Sequence, residues 1–137
     1  MKHYLHILIV LAFSLAFVSC GGGGDEEVPP VKSSECDIKT FSLKTATNLV
    51  AFPGGWVSVQ FNASRQANVE VEKPEINLAS IQARFTISAG ATIKVGNTPQ
   101  VSEVTANNYT SPVTFRVTAE DGVTRKDYTV RVTRVVP

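Results

Sequence analysis

The chain has 137 residues, 43% of them hydrophobic and 18% charged, with 13 Lys+Arg against 12 Asp+Glu. That balance offers no electrostatic basis for holding a nucleic-acid backbone, which takes clustered cations. Two cysteines and two histidines are too few for a disulfide framework or a histidine-rich metal centre.

Residues 1–19 read as a secretion signal. Lys2 supplies a positive start, and Leu5 to Val18 form an apolar run broken only by His6 and Ser14. The run is shorter than the about 18–20 apolar residues of a spanning helix, so cleavage is expected. Phe17-Val18-Ser19-Cys20 resembles the lipobox of bacterial lipoproteins, in which the cut falls before a cysteine whose thiol carries lipid. Phe17 stands where the usual motif has leucine. The resemblance implies lipidation of Cys20 and attachment to a membrane through that lipid.

Residues 20–35 form a tether. Gly21 to Gly24 cannot pack a core, and Val28-Pro29-Pro30 extends the chain. The glycine run followed by Asp25-Glu26-Glu27 is similar to the export signal of Bacteroidetes lipoproteins, which implies an outer-membrane lipoprotein at the cell surface. The alternative is a solvated linker on the periplasmic side.

Loss of the signal removes Lys2 and leaves twelve basic against twelve acidic side chains. It also removes His3 and His6, the only histidines. Without imidazole there is no Ser-His-Asp or Cys-His catalysis and no histidine-bound zinc or copper. No catalytic residue, metal or cofactor is assigned. With Cys20 lipidated, Cys36 has neither a disulfide partner nor an activating base, and it reads as a small core side chain.

Residues 36–137 suit one domain with one core. A first strand covers 37–43, with Phe41 and Leu43 on one face and Ile38 rephased by a bulge. Pro53-Gly54-Gly55 breaks the chain. Residues 56–62 alternate, with Val57, Val59 and Phe61 opposite Trp56, Ser58 and Gln60. Residues 67–73 repeat the pattern with Val69 and Val71 inward. Irregular spacing over 74–83 predicts a crossing loop with a helical turn. Short strands follow over 84–88 and 91–95, separated by Ala89-Gly90. The last two, around Val113-Phe115-Val117 and Tyr128-Val130-Val132, flank Glu120-Asp121-Gly122, a hairpin signal because Asp and Gly both accept positive φ.

About seven strands and no covering helix predict two antiparallel sheets packed face to face. Three segments carry a closer resemblance: Pro112 to Thr133 (PVTFRVTAEDGVTRKDYTVRVT), Ile38 to Leu43 (IKTFSL), and Ala83 to Ala91 (ARFTISAGA). Together they resemble an immunoglobulin-like domain of unknown function in Bacteroidetes cell-surface lipoproteins. The resemblance runs over about residues 36–135. It implies an all-β, immunoglobulin-like antiparallel β-sandwich with no catalytic motif, a kind of module often joined to carbohydrate-active or glycan-binding modules.

Sugar recognition needs an exposed aromatic face beside amides or carboxylates, because a pyranose shows a CH face and hydroxyls. Trp56 is the candidate platform, with Gln60, Asn107, Asn108 and Tyr109 as polar company; tryptophans of sandwiches more often pack under a loop or into the core, however, and Asn107-Asn108-Tyr109 more often forms a turn. A glycan, or an outer-membrane protein complex engaged through the face of Thr114, Arg116, Thr118, Thr129, Arg131 and Thr133, is the expected partner. Glu70, Glu72 and Glu75 invite a glycosidase reading, but acids at i and i+2 on an exposed face serve solvation, and no enzyme is expected. Glu120, Asp121 and Asp127 invite calcium, but they lack the regular spacing of calcium loops and a turn accounts for Asp121-Gly122.

Overall fold

Apolar and polar residues that alternate place one row of side chains on each face of a strand, and the apolar rows then need one another. The structure, a computed structural model, describes residues 28–44, 55–71 and 76–135. The secretion signal, Cys20, the glycine run, Pro53-Gly54, Glu72 and Glu75 lie outside the described residues. The chain divides into two units, Met1–Val31 and Lys32–Pro137. Val28 and Val31 of the first are exposed.

The second unit holds β1 (Ile38–Lys44), β2 (Trp56–Ser58), β3 (Gln66–Val71), β4 (Ile81–Ile87), β5 (Thr92–Val95), β6 (Thr98–Pro99), β7 (Ala106–Asn107), β8 (Val113–Thr118) and β9 (Arg125–Arg134). One sheet runs β2-β1-β4-β7 and the other β3-β9-β8-β5-β6. Among the described residues the fold is an all-β sandwich of nine strands, two more than expected. The additional ones, β6 and β7, are two residues each, too short for alternation to reveal.

One sheet is mixed rather than antiparallel. β3 pairs with β9 in parallel from Gln66↔Thr129 to Val71↔Arg134. Alternation sets the face of a residue and says nothing of its neighbour, so the crossing that brings β3 beside β9 has no signature in the strand itself. That crossing also corrects the strand expected over 56–62, which ends at Ser58. Its last bond is Val59 N to Phe41 O at 2.9 Å. Asn62 then folds the chain: its Oδ1 accepts from the amides of Ser64 and Gln66, and Arg65 takes φ 59°.

The strand expected at 84–88 starts earlier, at Ile81, and Asn77 to Ser80 make a turn where a helical turn was expected; no described residue is helical. The β8–β9 connection is likewise longer than the simple Asp-Gly turn. Gly122 N donates to Ala119 O, Ala119 N to Thr124 O, and only Gly122 has positive φ. Asp121 instead accepts from the amides of Val123 and Thr124 and from the Thr124 hydroxyl, mimicking backbone with its carboxylate.

The core sits where the inner rows meet. The register of β1 against β4 shifts between Ile38 and Thr40, which is the expected bulge. It leaves Phe41 and Leu43 inward, opposite Val113, Phe115 and Val117 of β8 and Val130 of β9, all buried. Phe41 joins the sheets: its ring centroid lies 5.1 Å from Phe115 and 5.5 Å from Phe61, both edge-on. Phe61 continues to Tyr128 at 5.0 Å. Edge-to-face contacts of this kind add about 0.5–1.5 kcal/mol to area burial. Cys36 is wholly enclosed in this core.

Candidate functional site

The outer face of the β2-β1-β4 sheet is built by register. Trp56 stands opposite Lys44, and the next row is Ser58, Ser42 and Arg84. Ser42 is short, so the long Arg84 side chain passes over it and sets its guanidinium 4.3 Å from the centroid of the Trp56 ring. This is a cation–π contact, worth about 0.5–1 kcal/mol at an exposed position. The same Arg84 donates through Nε to Glu103 Oε1 at 2.6 Å. Lys44 Nζ donates to Gln82 Oε1 at 3.0 Å in the row beside it.

Glu103 reaches this face from the loop between β6 and β7. It is held at φ 68° by its own amide bonding Ala83 O at 2.8 Å, while Ser102 Oγ accepts from Phe85 N. A non-glycine residue in the left-handed region costs about 1–2 kcal/mol, so the loop's bonds to β4 hold a strained backbone in place. The loop thereby covers part of the outer edge of β4 and presents a carboxylate to the guanidinium that lies over the indole.

The residues singled out from sequence separate. Trp56 is half-buried on the outer face rather than in the core, and Gln60 is exposed two residues past Ser58, whose Oγ accepts from its amide at 3.3 Å. Asn107, Asn108 and Tyr109 do not join them. Asn108 Oδ1 accepts from Thr110 N and Oγ1, closing a turn. Asn107 is half-buried and donates to Gln100 Oε1 at 2.7 Å. Tyr109 belongs to the core, with 0% exposure, so its ring and hydroxyl do not face a ligand. The apolar surroundings that bury Tyr109 also push its hydroxyl pKa up.

Arg84 and Glu103 escaped the sequence reading. Alternation marks Arg84 as outward, but only the order β2-β1-β4 brings it to Trp56, and nothing local announces a left-handed Glu103. On the other outer face the hairpin residues pair among themselves: Arg116 forks onto Asp127 at 2.8 and 2.9 Å, and Thr114 bonds Thr129. Arg116 accordingly holds the Asp127 carboxyl below its ordinary pKa. Glu120 accepts from Ser33 N, Asp121 closes its turn and Asp127 is committed to Arg116, so the three acids considered for calcium serve separate ends. Among the described residues no group of three or more His, Cys, Asp or Glu side chains is arranged to hold a metal ion.

An aromatic ring under a guanidinium that is itself paired with a carboxylate, on the outside of a small sandwich, defines a candidate recognition module. The chain belongs to the family "SGBP, N-terminal", the N-terminal domain of starch/glycan-binding proteins, which it matches over residues 52–132. Among solved structures it is similar to a candidate glycoside hydrolase from Bacteroides thetaiotaomicron, with 31% identity and a TM-score of 0.53. That match covers 82% of this chain but only 28% of the other. A candidate secreted protein from Bacteroides fragilis is 16% identical over 74% of this chain and 96% of its own, with a TM-score of 0.44. No curated protein matches.

Proposed function

We propose that this protein is a surface-anchored lipoprotein whose immunoglobulin-like sandwich is non-catalytic and accessory to glycan capture, with Trp56 as the sugar platform. Trp56 carries the reading: the only tryptophan lies on an outer face, between a sheet of short polar side chains and the Arg84–Glu103 pair, in a chain of a glycan-binding family. The indole supplies the apolar surface for a pyranose CH face. Arg84, Glu103 and Gln82 supply donors and acceptors for its hydroxyls. Arg84 occupies one face of the ring, so a stacked sugar takes the other face or displaces the guanidinium.

Affinity gel electrophoresis against a panel of soluble polysaccharides tests this. Retardation by at least one glycan, lost in Trp56→Ala with little change in melting temperature, is the expected result. Retention of full affinity by Trp56→Ala, or retardation by no glycan, overturns it.

A further inference from the structure

Beyond Val59 the chain leaves β1 for the other sheet, and the divergence opens a cleft of about 530 Å³ alongside β1. That volume is in the about 300–1,000 Å³ range of small-molecule sites. Phe41 and Phe61 supply its apolar floor, while Thr40, Ser58, Gln60 and Asn62 supply hydroxyls and amides. This mixture matches a sugar's CH faces and hydroxyls. None of the twelve lining residues is acidic, and two, Lys39 and Arg65, are basic.

The two cations differ in commitment. Lys39 lies 3.8 Å from Glu35. Arg65 has no ion pair among the described residues; its Nε donates to the Asp127 carbonyl at 3.3 Å, leaving the terminal nitrogens of the fork without a protein partner there. Nearby acids are spoken for, Asp127 by Arg116 and Asp37 by Lys126. Arg65 is also held at φ 59° by the Asn62 turn, a costly conformation that fixes its starting point at the cleft.

We propose that this cleft receives the acidic residue of a glycan, a sugar bearing carboxylate or sulfate, with Arg65 as its anion partner. The proposal rests on the glycan-binding reading and specifies the charge of the glycan. A planar guanidinium fork takes two oxygens of either group. The cleft adjoins Ser42 and Ser58, which are on the outward face of β1 and β2 with Trp56, so one saccharide chain can engage both places.

Isothermal titration of the intact chain with polygalacturonate, a carboxylate-free sulfated galactan and a neutral glucan tests the assignment. The substitution is Arg65→Asn, because asparagine tolerates the left-handed backbone, and melting temperature confirms that the variant folds. Binding of one anionic polymer, weakened by salt and reduced about tenfold or more in Arg65→Asn, is expected. The polymer that binds identifies carboxylate or sulfate as the recognised group. Binding of the neutral glucan alone overturns the inference and leaves the glycan-binding reading standing. Anionic binding unchanged in Arg65→Asn overturns the placement, and no binding to any polymer overturns both.

Discussion

Lys126 Nζ lies 2.5 Å from Asp37 Oδ1, so a pair separated by 89 positions ties the approach to β1 onto β9. Tyr128 donates its hydroxyl to the same oxygen at 3.1 Å. The Lys126 hydrogen bond holds the Asp37 carboxyl below its ordinary pKa of 3.8, and Asp37 holds the Lys126 ammonium above 10.5.

The sign follows from linkage. A depressed carboxylate pKa contributes stability above about pH 4, lost as pH falls through its folded value; a raised ammonium pKa contributes below about pH 10.5, lost as pH rises through its folded value. Both side chains are more than a third exposed, so solvent screening limits the pair to about 0.2–1 kcal/mol. Urea titrations of Asp37→Ala, Lys126→Ala and the double variant should give a coupling energy of that size at pH 7 that declines as the pH falls below about 4. A coupling unchanged in acid would disprove the charge origin.

Because Trp56 is the only tryptophan, its fluorescence reports on the guanidinium above it. Arg84→Ala should increase acrylamide quenching of that emission while lowering stability by only about 1 kcal/mol, since the cation–π contact and the Glu103 pair are both exposed. Quenching equal to that of the unsubstituted protein would show that Arg84 does not shield the ring.

Among the described residues the buried Tyr109 hydroxyl has no partner at hydrogen-bond geometry; the neighbouring Asn107 amide donates to Gln100 instead. Deleting an unsatisfied buried hydroxyl removes a desolvation cost, so Tyr109→Phe should leave the melting temperature unchanged or raise it. Tyr109→Ala should cost about 3–5 kcal/mol for the emptied volume. The raised tyrosine pKa means that the unfolded chain ionises first, so stability should fall above about pH 10 and this fall should be smaller in Tyr109→Phe. A clear loss of stability in Tyr109→Phe would indicate a bonded hydroxyl.

Gly90 and Gly122 share a φ of 75° but differ in their surroundings. A Cβ at Gly90 would meet Glu120 Cβ, Cγ and Cδ at 3.0 Å, whereas one at Gly122 would meet nothing within 4 Å. Gly122→Ala should therefore cost only the left-handed penalty of about 1–2 kcal/mol, and Gly90→Ala more. Moving Glu120 would also disturb its bond to Ser33 N. Denaturation midpoints in the reverse order would contradict the packing.

The sequence by itself determined the inside and outside of each long strand. The rows Phe41-Leu43, Val113-Phe115-Val117 and Tyr128-Val130 face the core as their period of two requires, and Ile38 departs from it at a bulge. Periodicity also marked Trp56 and Gln60 as outward. It misled at Asn107-Asn108-Tyr109, where three polar-tipped neighbours in sequence divide between a shared amide bond, a turn and the core.

Tertiary structure alone decided the neighbours: β3 parallel to β9, Arg84 over Trp56 across an intervening strand, Glu103 beside Arg84, and Arg65 at the cleft. The physical reason is that alternation is a local consequence of strand geometry, read within a few residues. Which strands lie side by side is chosen by the burial of the whole apolar surface and by the loops that permit it. A site assembled from residues on different strands therefore has no spacing in the sequence by which to be read.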